Sequence, residues 1–371
     1  MKLYIIAGEA SGDLHGSNLM KAFKSKRSDL DFRFWGGDKM SEIAGEPVKH
    51  IRDLAFMGFV EVLANIRTIT KNIKMCKQDI LNYKPDTLIL IDYPGFNLRI
   101  AEFAKAHNIK VLYYISPQVW AWKEGRVKKI RRVVDKMYCI LPFEKDFYAK
   151  HEYEVEFVGH PLVDAINAFK EEAPTKVVFY DKYKLEDKPI LALLPGSRVQ
   201  EIKVKLPIML EASKSFGDYQ IIICGAPNRD EKFYASFVGG TSTKVVTNDT
   251  YSVLNFATLA MVTSGTATLE TALFKVPQVV CYKGSAISYA IAKRLVKVNY
   301  ISLVNLIMDQ ELVKELIQAD LTSQNIVQEL SKLKEGEERD RLISKYESLI
   351  VKLGGGGASD QAAAKMLELI N

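Results

Sequence analysis

The pattern that most constrains the fold is a short, continuous apolar run followed by a glycine-containing loop and then by a segment with helical periodicity. Residues 3–7 lead in this way through Gly8 into the helical segment 19–23. Residues 190–194 lead likewise into the loop 195–198. Unbroken apolar strands are typical of parallel sheets, which are covered on both faces. Alternation of such strands with helices predicts doubly wound α/β domains, whose ligands bind at the carboxyl ends of the strands.

The length and the position of a polar segment predict two domains. A chain of 371 residues exceeds one typical core, and the pattern turns polar between about residues 168 and 188. We therefore predict a first Rossmann-like domain over residues 1–167 and a second over 168–354. Four glycines, 354–357, precede a final helical segment that ends near Ile370. We expect residues 355–371 to cross back to the first domain, and the glycines also make a homodimer by swapping of this helix conceivable.

Composition indicates a soluble, cytoplasmic protein. The chain is 48% hydrophobic and 26% charged, and its net charge of +6 is only mildly basic. That charge suits an anionic membrane surface or a phosphorylated substrate but is too weak to predict nucleic-acid binding. The four cysteines are far apart, which predicts neither a metal cluster nor disulfides. The apolar start is too short for a signal peptide, and the longest uncharged stretch, 250–269, is too rich in polar residues for a transmembrane helix.

Three loops that follow predicted strands of the second half, at 195–198, 225–227 and 263–270, suggest a site for an anionic ligand. In residues 263–270, TSGTATLE, a glycine among small hydroxylated residues follows a strand and begins a helix. Such a helix start offers unpaired N–H groups to an anion, and Glu270, one turn further, is placed to reach a sugar hydroxyl. Arg198 has the fork geometry that suits a diphosphate. The alternative for each is structural: an ordinary capped helix for the first and a surface arginine for the second.

The first half gathers polar groups at the ends of its predicted strands. Glu9, Asp13 and His15 follow the first strand, and Asp92 follows the apolar strand 85–91. The spacing of the glycines here excludes a dinucleotide fingerprint, and the lysine of a P-loop is absent. For His15, a structural role is as compatible with the sequence as a catalytic one.

Two further segments of the first half have both a functional and a structural interpretation. Trp120 and Trp122 form a platform suited to a sugar face or an acyl chain. Residues 123–136 carry seven basic side chains at helical spacing, which predicts contact with anionic lipid or a substrate phosphate, or else a solvated charged face. The apolar segment 54–63 is either a core helix or a patch for acyl chains.

The order of five motifs resembles the lipid-A-disaccharide synthase family along nearly the whole chain. The motifs are AGEASGD at 7–13, SPQVWAW at 116–122, LPFE at 141–144, LPGSR at 194–198 and SGTATLE at 264–270. The resemblance implies the GT-B fold, in which two Rossmann-like domains face each other across a cleft. It also implies an inverting transfer of 2,3-diacylglucosamine from UDP to the 6-hydroxyl of 2,3-diacylglucosamine 1-phosphate, lipid X. The product would be the β(1→6)-linked disaccharide 1-phosphate.

The resemblance further implies roles for particular residues. It places Arg198, Glu270 and Asn305 on the nucleotide side, and Asp86 and Asp92 among the acceptor-side carboxylates. Many members of the family have an aspartate after the proline of the IDxPxFN motif, whereas this chain has Gly95 there. Because inversion needs a base near the acceptor hydroxyl, we assign that role to Asp92, with Glu9 and His15 as the next candidates.

The predicted site residues fall into three groups. The predicted catalytic residues are Asp92, Glu9, His15 and Arg198. The predicted UDP-side residues are Gly196, Ser197, Arg198, Gly225, Ser264, Gly265, Thr266, Ala267, Glu270 and Asn305. The predicted acceptor-side residues are Gly8, Ser11, Asp13, Asp86, Asn97, Gln118, Trp120 and Trp122.

Neither a metal ion nor another cofactor is expected, because Arg198 and the helix start at 264–267 can stabilise the leaving diphosphate. The expected partners are a UDP-sugar, a phosphorylated glycolipid and, peripherally, the inner face of the bacterial inner membrane. Two alternatives are another GT-B enzyme acting on UDP-N-acetylglucosamine, either a glycosyltransferase or an epimerase, and a non-catalytic protein that binds nucleotide sugars.

Overall fold

Two parallel β-sheets, each in its own compact unit, make up the computed structural model. The structure describes residues 1–54, 66–226, 229–285, 289 and 298–370, without the side chains of residues 66 and 122. One unit comprises Met1–Pro161 together with Leu353–Asn371, and the other comprises Leu162–Lys352. Most of the apolar segment 54–63 lies outside the described residues.

The first unit contains a seven-stranded sheet in the order β3-β2-β1-β4-β5-β6-β7, and all its strand pairs are parallel. The strands are β1 Lys2–Ala7, β2 Asp31–Gly36, β3 Lys49–His50, β4 Thr87–Ile91, β5 Lys110–Tyr114, β6 Lys136–Cys139 and β7 Glu156–Phe157. The helices are α1 Ala10–Lys26, α2 Asp38–Ala44, α3 Ile66–Tyr83, α4 Pro94–Ala106, α5 Val119–Trp122, α6 Val127–Val133 and α7 Glu144–Ala149.

Alternate residues of the central strand β1 enter two different cores. Tyr4 and Ile6 pack in one core together with residues of α4 and α6, whereas Leu3, Ile5 and Ala7 pack in the other with residues of α1. Successive side chains of a strand point to opposite faces, so both faces of this sheet are covered. This is why the strand sequence is apolar at every position after the exposed Lys2.

The second unit contains a six-stranded parallel sheet in the order β10-β9-β8-β11-β12-β13. The strands are β8 Ile190–Leu194, β9 Gln220–Gly225, β10 Lys244–Thr247, β11 Ala257–Thr263, β12 Gln278–Tyr282 and β13 Lys314–Ile317. The helices are α8 Pro161–Glu172, α9 Lys176–Tyr183, α10 Val199–Ser213, α11 Glu231–Val238, α12 Thr250–Phe256, α13 Thr266–Leu273, α14 Leu303–Met308, α15 Ser323–Ser331 and α16 Glu337–Lys352. The strand order is that of a Rossmann fold.

The last helix, α17 Ala358–Ile370, packs against α1 in the first unit. Ala362, Ala363 and Met366 are fully buried in the core that also contains alternate residues of β1. Gly354 to Gly357 all have positive φ, and a Cβ on Gly354 would lie 3.0 Å from the Cα atom of Gly159. The prediction that the final helix returns to the first domain is therefore confirmed, as is the prediction of two Rossmann-like domains.

Within the described part of the chain, no helix is both long enough and apolar enough to cross a bilayer.

Candidate active site

In each sheet the strand order reverses at one point, and the predicted loops lie there. The reversal falls between β1 and β4 in the first sheet and between β8 and β11 in the second. In open α/β sheets, ligands bind outside the carboxyl ends of the strands at this point. The loops concerned begin at Gly8 and Asp92 in the first unit, and at Pro195 and Ser264 in the second.

Asp92 lies at the carboxyl end of β4 in a turn that three hydrogen bonds hold in place. Asp92 and Tyr93 both have left-handed φ values, of 44° and 47°. The Asn97 amide donates to the main-chain oxygens of Ile91 and Asp92, at 3.2 and 2.8 Å, and the hydroxyl of Tyr113 donates to the same oxygen of Asp92 at 2.5 Å. Asn97 is completely buried. It thus supports the turn, and we do not expect it to contact the acceptor as predicted.

Gly8 allows the ring of Tyr93 to lie directly against the end of β1. A Cβ atom on Gly8 would be only 2.3 Å from this ring, so no other residue fits without displacing Tyr93. The ring also stacks on Phe96, with 5.6 Å between the centroids. Gly8 therefore determines the position of the turn that carries Asp92.

The carboxyl group of Asp92 has the properties of a general base. Burial, with the negative charge of Glu9 as a second cause, raises the pKa of Asp92 to about 6. At pH 7 such a carboxylate is mostly ionised, yet it is a stronger base than an exposed aspartate. Glu9 itself is exposed at the start of α1.

Asp92 lines a pocket of about 260 Å³ within the first unit. Polar and charged residues in its lining include Asp92, Ser116, Gln118, Lys123, Arg126 and Glu144. The predicted residues Asp92 and Gln118 are thus brought together. His15 is not among the lining residues, and the side chain of Trp122 lies outside the described part of the chain.

Glu144, at the start of α7, is a pocket residue that was not predicted from the sequence. It is 1% exposed, and burial raises its pKa to about 8, so the acid is mostly protonated at pH 7. Oε2 accepts a hydrogen bond from Leu141 N–H at 3.1 Å, whereas Oε1 has no hydrogen-bond partner. The hydroxyl of Ser116 and the indole N–H of Trp120 face this carboxyl group and oppose the rise in its pKa. The LPFE motif was the signal that could have identified this residue.

Residues of the basic segment 123–136 form ion pairs on α6 or line the Asp92 pocket. Lys129 and Arg132 both pair with Glu102, at 2.8 and 2.7 Å, and Arg131 pairs with Glu152 at 3.0 Å. These exposed pairs neutralise much of the charge on α6, which favours the interpretation of α6 as a solvated face. Lys123 and Arg126 line the pocket.

Two predicted acceptor-side carboxylates have structural roles, which corrects the prediction. Asp13 is buried and accepts hydrogen bonds from the main-chain N–H groups of Gly37, Lys39 and Met40, at 2.7, 3.1 and 3.1 Å. These bonds cap the start of α2.

Asp86 lies at the opposite end of the sheet from Asp92. It precedes β4 and accepts a hydrogen bond from Lys2 N–H at 2.8 Å, whereas Asp92 follows β4. At about 3.3 Å per residue, the intervening strand separates the two aspartates by roughly 20 Å. Asp86 therefore does not contribute to the site at the carboxyl ends of the strands.

His15 and Ser11 lie on α1. Burial lowers the pKa of His15 to about 4, so its imidazole is neutral at pH 7, and its buried Nδ1 atom has no hydrogen-bond partner. Burial also lowers the pKa of His160 to about 3, and the proximity of His15 is a second cause. Ser11 is exposed in the first turn of α1. Neither residue is placed in the Asp92 pocket.

In the second unit, the loop after β8 presents Arg198 to solvent. Gly196 has a φ of +109°, and a Cβ atom there would lie 2.6 Å from Glu201 Oε2. The Arg198 guanidinium is 3.5 Å from Glu201 Oε1, and the side chain is 76% exposed. On the other side of Glu201, the ammonium of the buried Lys205 is 3.8 Å from Oε2. Glu201 thus orients Arg198 while leaving most of its surface accessible, and Ser197 beside it is also exposed.

The loop after β11 forms an open helix start beside the Arg198 loop. Gly265 precedes α13 with a φ of +150°, and nothing lies within 4 Å of a Cβ atom built on it. Ser264 Oγ donates to the oxygen of Ile301 at 2.8 Å, while Thr266 is exposed and Ala267 half-buried. The methyl of Thr263 would be 3.4 Å from a Cβ atom on Gly196, so the two loops are adjacent. This arrangement suits an anion between Arg198 and the helix start.

Glu270 lies in α13, one turn after this helix start. Its Oε1 atom accepts a hydrogen bond from the hydroxyl of Tyr251 at 3.0 Å, and burial raises its pKa. Gly225, at the end of β9, is the third predicted loop residue, and a Cβ atom on it would lie 2.7 Å from the methyl of Thr247. Gly225 therefore allows the ends of β9 and β10 to pack closely against each other.

Asn305 is a further correction. Its amide nitrogen donates to Val313 O and Glu315 Oε1, at 2.8 and 2.9 Å, and its oxygen accepts from the N–H groups of Leu312 and Val313, at 2.8 and 2.9 Å. An asparagine side chain has two donor hydrogens and two acceptor sites, and all four are used. The side chain holds the connection between α14 and β13 and has no capacity left for a nucleotide.

Comparisons with known proteins agree on one family. The family model described as lipid-A-disaccharide synthetase matches residues 3–369. The lipid-A-disaccharide synthase of Myxococcus xanthus is 37% identical over 377 residues, which cover 100% of this chain and 97% of the relative. That of Geobacter metallireducens is 38% identical with the same coverage, and that of Coxiella burnetii is 38% identical over 99% of this chain and 98% of the relative.

Solved structures of low sequence identity share the fold. A UDP-GlcNAc 2-epimerase from Neisseria meningitidis, bound to UDP-GlcNAc, aligns with a TM-score of 0.69 at 13% identity over 99% of this chain and 100% of its own. The glycotransferase of kitacinnamycin aligns with a TM-score of 0.70 at 11% identity, over 100% of this chain and 99% of its own. These similarities support the GT-B architecture.

Proposed function

Because the chain belongs to the lipid-A-disaccharide synthase family of glycosyltransferases, we propose that it joins UDP-2,3-diacylglucosamine to 2,3-diacylglucosamine 1-phosphate. The products are the β(1→6)-linked disaccharide 1-phosphate and UDP. The observation that carries this proposal for the site is the raised pKa of Asp92, in a pocket that also contains Lys123 and Arg126. A base beside two cations suits an acceptor that has both a reacting hydroxyl and a phosphate.

In the proposed reaction, Asp92 removes the proton of the acceptor's 6-hydroxyl. The oxygen attacks the anomeric carbon of the donor from the face opposite UDP, and the bond from that carbon to the diphosphate oxygen breaks. UDP leaves with the electron pair, and the anomeric configuration is inverted. A positioned general base contributes typically about 10²- to 10⁴-fold to such a rate.

The second unit is proposed to hold the donor. Arg198 and the start of α13 would stabilise the negative charge that develops on the leaving diphosphate, and Glu270 would accept a hydrogen bond from the ribose. Arg198 is suited to this because its guanidinium is exposed and held at one edge by Glu201. Thr266 and Gly265 offer an open approach to the helix start.

The acceptor is proposed to reach the first unit from the inner face of the bacterial inner membrane, where a diacylated substrate would reside. Lys123 and Arg126 would bind its phosphate. We propose a peripheral association, since a glycolipid supplies apolar chains and the net charge of +6 favours an anionic surface. A dimer formed by exchange of α17 is a further proposal, which the run of glycines at 354–357 makes sterically accessible.

Release of UDP by the purified protein tests the proposal. The complete mixture contains UDP-2,3-diacylglucosamine and lipid X, and each substrate is omitted in turn. We expect release only with both present, and none when UDP-N-acetylglucosamine replaces the acylated donor. Absence of release from the complete mixture would refute the function, and conversion of UDP-N-acetylglucosamine to its epimer would favour the epimerase alternative.

A further inference from the structure

A buried ammonium group lies beneath the loop that carries Arg198. Lys205 is in the second turn of α10, and its side chain is only 2% exposed. Side chains of an α-helix lean toward its N-terminus, so that of Lys205 leans toward the loop 195–198. A buried ammonium is unfavourable unless an opposite charge lies close to it. Lys205 therefore needs a counter-ion near this loop.

Glu201 is that counter-ion, and it has Arg198 on its other side. Its Oε2 atom is 3.8 Å from the Lys205 ammonium, and its Oε1 atom is 3.5 Å from the Arg198 guanidinium. Both distances are longer than those of typical hydrogen bonds, so the three groups interact mainly through their charges. Gly196 makes room for the carboxylate, because a Cβ atom there would lie 2.6 Å from Oε2. One carboxylate is thus shared between a buried cation and an exposed one.

The difference in exposure determines what each cation can do. The side chain of Arg198 is 76% exposed, that of Glu201 is 31% exposed, and that of Lys205 is buried. Charges that are buried are screened much less than charges at the surface. Burial lowers the pKa of Lys205, and the charge of Glu201 opposes this shift. Lys205 is therefore confined to the role of a counter-ion, whereas the guanidinium of Arg198 remains accessible to a ligand.

We propose that Lys205 is a positioning residue for the donor: it neutralises Glu201, so that the charge of Arg198 remains available to the diphosphate of the UDP-sugar. Among the described residues, Glu201 has no ion pair other than these two. Without Lys205, its carboxylate would compete with the diphosphate for the guanidinium and would also repel the diphosphate. This proposal rests on the proposed function, because it assumes that the diphosphate binds at Arg198.

The test compares the affinity for UDP of wild type, Lys205→Met, the double variant Lys205→Met/Glu201→Gln and the control Lys203→Met. Methionine fills the buried site with a flexible apolar chain. Glutamine keeps the size of Glu201 and an oxygen that can accept a hydrogen bond from Arg198, but it has no charge. Lys203 is exposed on the same helix, so its substitution removes the same charge at the surface of α10. The Kd for UDP is measured by isothermal titration calorimetry on the full chain, with thermal unfolding as a check of folding.

We expect Lys205→Met to raise the Kd for UDP by about three- to tenfold, which is part of what a hydrogen bond to a charged group contributes. In the double variant the competing charge is removed together with its counter-ion, so the Kd should return to within about twofold of wild type. Lys203→Met should bind UDP as wild type does. Unchanged affinity in Lys205→Met would overturn the proposal. A loss that Glu201→Gln does not restore would also overturn it, because a packing defect alone would persist in the double variant.

Two further outcomes are decisive. An equal loss in Lys203→Met would overturn the proposal, because it would show a general effect of net charge, and so would a wild type that does not bind UDP. If Lys205→Met does not fold, Lys205→Gln, which also lacks the charge, takes its place in the same comparison. Because Kd is measured without turnover, a failure of the proposed reaction is recognised separately, by UDP binding without UDP release from the two substrates.

Discussion

Replacing Asp92 by asparagine should abolish most activity and at the same time stabilise the protein. The side chain keeps its size, and asparagine accepts the left-handed φ of 44° as readily as aspartate does. The three hydrogen bonds that hold the turn involve only main-chain oxygens of residues 91 and 92, so they persist. What is lost is the carboxylate, and turnover should fall by about 10²- to 10⁴-fold.

The expected gain in stability follows from the raised pKa of Asp92. The rise from 3.8 to about 6 means that the folded protein binds a proton more tightly than the unfolded chain does. It corresponds to a cost of roughly 2 to 3 kcal/mol to the folded state at pH 7. Below about pH 4 the group is protonated in both states, so the cost is absent there. It grows as pH rises from 4 to 6 and is complete above 6.

Turnover and urea unfolding of the same preparations test this reasoning. Asp92→Asn should raise the free energy of unfolding at pH 7 by roughly 2 to 3 kcal/mol, and this gain should shrink as pH falls from 6 toward 4. Turnover is measured with saturating acceptor, so that weaker binding is not mistaken for slower chemistry. Near wild-type turnover would refute the assignment of the base. If the variant were destabilised equally at pH 7 and at pH 4, the explanation that burial of the charged carboxylate lowers stability would be refuted.

Three further predictions concern the turn that carries Asp92 and the proposed donor site of the second unit. Gly8→Ala should displace Tyr93, lower the free energy of unfolding in urea by about 1–3 kcal/mol and lower turnover. The control Gly95→Ala, which has open space around its Cβ position, should leave turnover intact. Equal effects of the two substitutions would contradict the packing argument. Glu270→Ala should weaken UDP binding about tenfold in calorimetry, and an unchanged Kd would exclude its contact with the ribose. Gly95→Asp, in the first turn of α4, should be tolerated and raise stability by about 0.3–1 kcal/mol, and a lowered melting temperature would contradict this.

The sequence predicted the fold well because the two sheets are buried on both faces. β8, and β1 after Lys2, are apolar at every position, and in each case a glycine-containing loop and a helix follow. A parallel sheet of this kind brings the loops after its strands to one edge. The positions of Gly8, Asp92, Arg198 and Gly265 near the two reversal points could therefore be predicted without coordinates.

The roles of individual side chains were harder to predict from the sequence, because they depend on contacts between residues that are distant in sequence. Asp13 follows a strand as a catalytic carboxylate would, but its partners are the N–H groups at residues 37–40. The side chain of Asn305 is likewise hydrogen-bonded to residues of the connection at 312–315. Glu144 was not assigned to the site because the LPFE motif marks a family resemblance but does not show that this glutamate is buried in the pocket.

The product formed by the purified protein tests the central claim most directly. UDP-2,3-diacylglucosamine and lipid X are incubated with the chain, UDP is quantified, and the lipid product is analysed by mass spectrometry and NMR. We predict one UDP for each disaccharide 1-phosphate, with a β(1→6) linkage. An α linkage, attachment at another hydroxyl, or UDP release without a disaccharide would contradict inverting transfer to the acceptor's 6-hydroxyl.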